Sequence, residues 1–530
     1  MSADRRAPLR PLSAALLIGA ATLAGALVWI STPGGASTSP DSWVYLSTAR
    51  NLLAGEGFTR YNNVPFVPWP PLFPLLIAAL VGLAELIGRE LHLLDALRAM
   101  HVLVTAANVV AAGLLFRRFM RSAAVAALAA LAVALSYPLV YVATFVWSEP
   151  LFVLLTLLFL HALDRHLAAP RARSLLLVAI LAALASVQRY AGAVLIVAGA
   201  LTLALLAFKV PLRCRLRDAG VFAAVAALPL VLWLAHNYAR TGTLTGKRAP
   251  STQSLHVSIR AVYDLTVSWL TPERWGISYQ AAGLIVGLVL VLGLIRLVRR
   301  ERRAALPTLA GLRALPLALF AALYGAFVVS SASLVRFDPI DERLLAPLYV
   351  PTVGLAFAAL NWLVGQLRAR PWGRAPALGL TALAALWLLY PLDRLRDNIP
   401  TLQDISEASQ VTYETWRESP LMRAVRADPP AGRVLTNAPL HLLVHGGLAN
   451  HPVPAALDGW VPLVEDAAGR GLILVWFEPV TRCDWVRRHC IETDYTVETL
   501  AGTWQMMPII FAADGGVYWL GAGPAAQPGE

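Results

Sequence analysis

Charged side chains that interrupt apolar runs are the first place to look for chemistry in this sequence, because a charge at membrane depth is costly and tends to be functional. Asp41 follows Ser39 and Pro40, a cap and first-turn pair, so its carboxylate stands where the positive end of a helix dipole favours it. There it either complements the dipole or accepts a proton. Asp41, Tyr45, Thr48 and Leu52 share one helix face, and Gly55 ends the helix. Glu149 lies in Val146-Trp-Ser-Glu-Pro-Leu151, between two apolar runs. It reads as a solvated helix start ahead of Pro150 or as the lining of a polar cavity. Arg189 breaks an apolar stretch in the same way, and Arg343 follows Asp341 and Glu342, with which it can pair. Arg240, Lys247 and Arg248 stand in a Gly/Thr-rich loop that lacks Walker A spacing. A guanidinium grips a phosphate through two parallel hydrogen bonds, so these cations suit a phosphate. The oxygen donors Asp41, Glu149, Asp338, Asp341 and Glu342 suit magnesium or manganese, although no spacing demands a metal. His101, His161, His236, His256, His441 and His445 are scattered and read as structural.

The elements that must position these groups are membrane helices. The chain has 530 residues, of which 58% are hydrophobic and 14% charged, with a net charge of +12. Its mean hydropathy of +0.61 excludes an ordinary soluble protein. Arginines in the short loops of such a chain report orientation rather than nucleic-acid binding. Three cysteines exclude a disulfide-rich scaffold, and none has metal-ligand spacing.

Basic intervals at residues 5–10, 117–121, 165–173, 209–217, 296–303 and 368–374 are placed in the cytoplasm. This predicts about eleven spans, near residues 12–30, 93–116, 123–145, 150–166, 174–188, 191–208, 219–236, 281–298, 314–332, 344–366 and 375–391. The first, with its basic leader, is read as a retained helix rather than a cleaved signal peptide. Leu72 to Gly88 is apolar, but a crossing there would put every later basic loop outside, so it is read as lying along the interface or re-entering. Residues 1–392 then form a transmembrane domain with a first outer loop at 31–92, and 393–530 an extracytoplasmic mixed α/β domain. Its strands are expected at Leu472–Phe477 and near Val517–Leu520, with a loose tail from Gly523. Cys483 and Cys490 in that domain are expected to pair.

The stretch opened by Asp41 resembles a known family. Asp41, Tyr45, the run Ala49-x-Asn51-Leu52-x-x-Gly55-x-Gly57-Phe58 and the Pro70-Pro-Leu-Phe-Pro74 element are similar to the GT-C membrane glycosyltransferases of the protein-mannosyltransferase and aminoarabinose-transferase type, family 39. Many members carry Asp-Glu where this chain has Asp41-Ser42. The resemblance implies a GT-C fold and a hexosyl or pentosyl transfer from a polyprenyl-phosphate lipid to an acceptor hydroxyl on a glycan, lipid or protein. It also implies transfer with inversion at the outer face of the membrane, which is expected here to be a bacterial inner membrane. It further implies Asp41 as general base, Glu149 lining the active site, and Tyr45 and the arginines, Arg343 in particular, on the donor side. A lipid-linked sugar flippase and a non-catalytic glycan-assembly protein stand as alternatives.

Overall fold

The computed structural model describes residues 11–61, 63–87, 92–207, 210–272, 314–336, 339–466, 472–478 and 493–524. It divides into two compact units: residues up to Ala36 with Leu94–Ser406, and Ser37–Leu93 with the residues from Glu407 onwards.

The first unit is helical. Among the described residues, eight helical segments are long and apolar enough to cross a membrane. They include Leu93–Phe119, Glu149–Ala168, Leu212–Thr241, Leu315–Leu334 and Glu342–Arg368. Ala172–Gln188 and Ala193–Leu206 are shorter apolar helices where two further spans are expected. The segment expected as one helix at 123–145 is two, Ala123–Ala134 and Tyr137–Thr144. The break has a local cause: the Ser136 hydroxyl accepts from Leu139 N at 3.2 Å, and Pro138 supplies no amide hydrogen to the turn before it. The expected span at 281–298 lies outside the described residues. The boundary expected at 392/393 falls inside the helix Leu389–Arg417.

The second unit holds a five-stranded mixed sheet, in the order β2-β1-β3-β5-β4. Its strands are β1 (Val434–Thr436), β2 (His451–Pro452), β3 (Leu472–Phe477), β4 (Trp504–Ala512) and β5 (Gly515–Pro524). Both strands expected from the sequence are present, and β5 runs to Pro524, past the Gly523 at which a loose tail was expected. Alternation along β3 gives the sheet two cores. Ile473, Val475 and Phe477 pack with Trp416, Leu421 and Leu442, while Leu472, Leu474 and Trp476 pack with Trp460, Tyr495 and Leu500. Cys483 and Cys490 lie outside the described residues.

The loop that carries Asp41 belongs to this unit. Ser39 caps the helix Pro40–Leu53 in a reciprocal box with Ser42. Beyond Gly55 and Gly57, both at positive φ, Asn51 Nδ2 donates to the carbonyls of Thr59 at 3.0 Å and Arg60 at 3.1 Å, folding the chain back on the helix. Leu72–Leu86 is a helix of 15 residues. At 1.5 Å per residue it spans about 22 Å, short of the roughly 30 Å hydrocarbon core. Arg50 ties it to the helix Pro40–Leu53 through Glu85 at 2.8 Å, leaving Leu75, Leu83, Leu86 and Ile87 exposed.

Trp43 on that helix meets His441 and His445 edge-on, with ring centroids at 5.6 and 6.0 Å. Burial, with Arg50, Arg426 and Arg417 nearby, lowers the His445 pKa from the ordinary 6.5 to about 3. Above pH 6.5 folded and unfolded chains are both neutral here; below it the unfolded chain takes up a proton that the folded one refuses. Stability of this unit should therefore fall by about 1.4 kcal/mol per pH unit between those limits. Thermal unfolding followed by circular dichroism checks this: His445→Phe, which keeps a ring but cannot titrate, should flatten the decline.

Candidate active site

In the helical unit the chain gathers three of the singled-out charges. Glu149 opens the helix Glu149–Ala168 and is completely buried. A carboxylate so placed must be compensated. Two arginines from distant parts of the chain do this: Arg343 donates through Nε to Glu149 Oε1 at 2.6 Å, and Arg189 Nη1 stands 2.5 Å from the same oxygen. Arg189 Nη1 also donates to Ser148 Oγ at 3.0 Å, and Gln188 Nε2 donates to the Ser148 carbonyl at 3.0 Å.

Local sequence explains how the arginines arrive. Arg189 ends the helix Ala172–Gln188 in an extended conformation and is followed by the tight turn Tyr190–Gly192. A Cβ on Gly192 would lie 2.2 Å from the Ala185 carbonyl oxygen, so the corner closes only with glycine. Arg343 is in the first turn of the helix Glu342–Arg368, whose cap is Asp341: Leu344 N donates to Asp341 Oδ1 at 3.0 Å. Burial raises the Asp341 carboxyl above the usual range. The Arg343 guanidinium lies 4.0 Å over the Trp147 ring, which stacks on Phe145 at 4.2 Å. Glu342 is occupied elsewhere, by Arg394 and by Trp269 Nε1 at 2.8 Å.

Arginine stays protonated in proteins, so an ionised Glu149 leaves the three-residue cluster with a net charge of about +1. The two arginine side chains keep 14–15% of their surface exposed, whereas Glu149 has none. The arrangement can receive an anion through its cations; its carboxylate is anchored beneath them and is poorly placed to exchange protons.

Comparison with solved structures places the fold. ArnT from Cupriavidus metallidurans in the apo state superposes with a TM-score of 0.57 at 15% identity, covering 96% of this chain and 98% of that one. The same enzyme bound to undecaprenyl phosphate gives 0.53 at 16% identity over 96% and 98%. Arabinofuranosyltransferase AftD from Mycobacteria gives 0.54 at 16% identity, covering 97% of this chain and 40% of that one. The chain has the GT-C glycosyltransferase fold. No family model and no curated protein matches the sequence.

Within this GT-C fold the remaining candidates are distributed unevenly. Arg240, Lys247 and Arg248 are exposed, on the end of the helix Leu212–Thr241 and the loop after it. Asn237 fastens that loop by donating to the Leu244 carbonyl at 2.8 Å and to Tyr190 Oη at 3.1 Å. Asp41 and Tyr45 belong to the other unit. Asp41 is half-buried in the first turn of the helix Pro40–Leu53. Tyr45 is 1% exposed, its ring enclosed edge-on by Phe66, Trp69 and Phe73 at 6.2, 5.7 and 5.0 Å, so its ring packs the loop onto the helix.

Two of the carboxylates weighed for magnesium or manganese already have partners. Glu149 is committed to two arginines, Glu342 to Arg394 and Trp269, and Asp338 lies outside the described residues. Among the described residues no group of three His, Cys, Asp or Glu side chains is placed to hold one. The sequence reading passed over Trp147 and Ser148, although both stand in the quoted run around Glu149; an aromatic beside a buried acid signals a cation to cover.

Proposed function

We propose that this integral membrane protein is a glycosyltransferase that moves a sugar from a polyprenyl-phosphate lipid to an acceptor hydroxyl at the outer face of a bacterial inner membrane. The observation that carries the reading is the convergence of Arg189 and Arg343 on the buried Glu149 in a GT-C fold. The donor is a phosphodiester with one negative charge. As the bond from its phosphate oxygen to the anomeric carbon breaks, the departing polyprenyl phosphate acquires a second. A site of net positive charge that is held rigid before the reaction stabilises this developing charge most. Glu149 supplies the rigidity by fixing both guanidiniums.

The acceptor hydroxyl attacks the anomeric carbon on the face opposite the phosphate, so the configuration inverts. Its proton passes to Asp41, the acid that the family resemblance assigns as base. Undecaprenyl phosphate bound by ArnT supports a lipid-phosphate donor. The outer-face location is supported by the hairpin Glu149–Ala168 and Ala172–Gln188. Its Glu149/Arg189 end is opposite the end that carries Arg165, Arg171 and Arg173, and short basic loops stay in the cytoplasm. About eleven spans follow from the same rule.

The test is reconstitution in liposomes with a panel of undecaprenyl-phosphate hexoses and pentoses and an envelope extract as acceptor. Wild-type protein should release undecaprenyl phosphate from at least one donor, and Arg343→Ala should reduce this by about 100-fold or more, the scale for removing one preorganised charge-stabilising donor. No release with any donor would overturn the reading.

A further inference from the structure

A sugar on a polyprenyl phosphate is joined to the phosphorus through one bridging oxygen. Its ring must therefore lie in the first layer of side chains around the cations that hold the phosphate. Around Arg343 that layer is aromatic. Trp147, under the guanidinium, is 5% exposed and is covered on its faces by Arg343 and Phe145. Tyr141 meets Trp147 edge-on at 5.5 Å and Phe145 edge-on at 5.5 Å, and Tyr137, one helical turn earlier, stacks on Tyr141 at 5.8 Å. Unlike Trp147, both tyrosines are only half-buried. Asp341 stands two residues before Arg343 and is half-buried, with Oδ1 accepting from Leu344 N. Its electrostatic neighbours include Arg343 and Glu149, and Tyr141 is another group that feels its charge.

We infer that Tyr141, flanked by Tyr137, and the carboxylate of Asp341 form the subsite for the donor's sugar, the ring lying against tyrosine and its hydroxyls donating to Asp341. This rests on the glycosyltransferase reading above and adds the part of the site that tells one sugar from another. The chemistry fits a carbohydrate in particular. Small-molecule sites combine aromatic walls with a few placed polar groups. An ionised carboxylate only accepts hydrogen bonds, and a sugar hydroxyl donates one while leaving the carboxylate's cap to Leu344 in place. A bare lipid phosphate has nothing to offer that oxygen.

The test compares equilibrium binding of the full-length, detergent-purified protein to undecaprenyl phosphate and to the panel of undecaprenyl-phosphate hexoses and pentoses. Wild type should bind at least one sugar-bearing lipid about tenfold or more tighter than the bare phosphate. Asp341→Asn, which keeps a good helix cap, and Tyr141→Ala should each cost that lipid roughly 10- to 100-fold, the scale of a hydrogen bond to a charged group. Affinity for undecaprenyl phosphate should stay within about threefold. Tyr141→Phe should retain an intermediate preference, because the ring remains. A preference that survives both Asp341→Asn and Tyr141→Ala, or a wild type that prefers no sugar-bearing lipid, overturns the subsite. Failure of the wild type to bind any polyprenyl phosphate overturns the transferase reading itself, so the two failures are distinguishable.

Discussion

Asp41→Asn is expected to lower sugar transfer by about 10² to 10⁴-fold while the protein remains folded and donor affinity stays near wild type, the range that a general base contributes. The substitution is well conditioned for this comparison. The helix Pro40–Leu53 is capped by Ser39 and Ser42, not by Asp41, so the cap survives. What is lost from the helix dipole is about 0.3 to 1 kcal/mol, too little to unfold the unit. The measurement is release of undecaprenyl phosphate under saturating donor, with binding measured on the same preparation. A loss confined to kcat supports a proton acceptor. A rise in KM alone would reassign Asp41 to donor binding, and unchanged transfer would remove it from the mechanism.

The helices were the most legible part of this chain, because an apolar run long enough to cross a bilayer has few other fates. The helix start at Asp41 was legible for a local reason, since a Ser-Pro-Asp start announces a helix terminus without any long-range contact. The convergence on Glu149 was not. Arg343 lies 194 residues away and Arg189 reaches Ser148 across 41, and nothing in either local sequence selects Glu149 as the partner. By composition, Arg240, Lys247 and Arg248 looked equally apt for a phosphate. Exposure, which periodicity does not give for a loop, separates them from the half-buried pair Arg189 and Arg343. Arg343 illustrates the difficulty most clearly: the adjacent Asp341 and Glu342 were the obvious partners, yet one caps the helix and the other turns to Arg394.

The unit division was hidden for a related reason. A fall in hydropathy after Pro391 suggested a domain boundary, but hydropathy reports the solvent around a helix and not its continuity. Leu389–Arg417 runs through that point without a break. The opening loop and the C-terminal sheet join through contacts such as Trp43 with His441 and Asn63 Nδ2 with the Asn450 carbonyl at 2.8 Å. Neither half of these pairs carries a sequence signal for the other.

Glu149→Gln separates an anchor from a proton-transfer group. Removing one charge from a buried ion pair costs roughly 3 to 5 kcal/mol because the partner is left uncompensated. Here two guanidiniums share the carboxylate, 2.5 and 2.6 Å from one oxygen. The amide keeps the shape of the side chain but cancels no charge, so Arg189 and Arg343 repel one another where each was held. The expected result is a clear fall in the thermal midpoint of the purified protein, together with a loss of transfer of about 100-fold or more. Were Glu149 also an acid or base in the reaction, the amide would in addition abolish a limb of the pH dependence of kcat, which loss of an anchor alone leaves in place. The decisive comparison adds Arg343→Gln to Glu149→Gln. With one cation and the carboxylate both gone, the local charge returns to +1, so the double variant should be more stable than Glu149→Gln alone, a coupling that contacting charges show and independent sites do not. Transfer should remain lost, because the guanidinium proposed to face the leaving phosphate is gone. A double variant whose destabilisation equals the sum of the singles would mean that the carboxylate does not hold Arg343, and the charge-stabilising role given to that arginine would go with it.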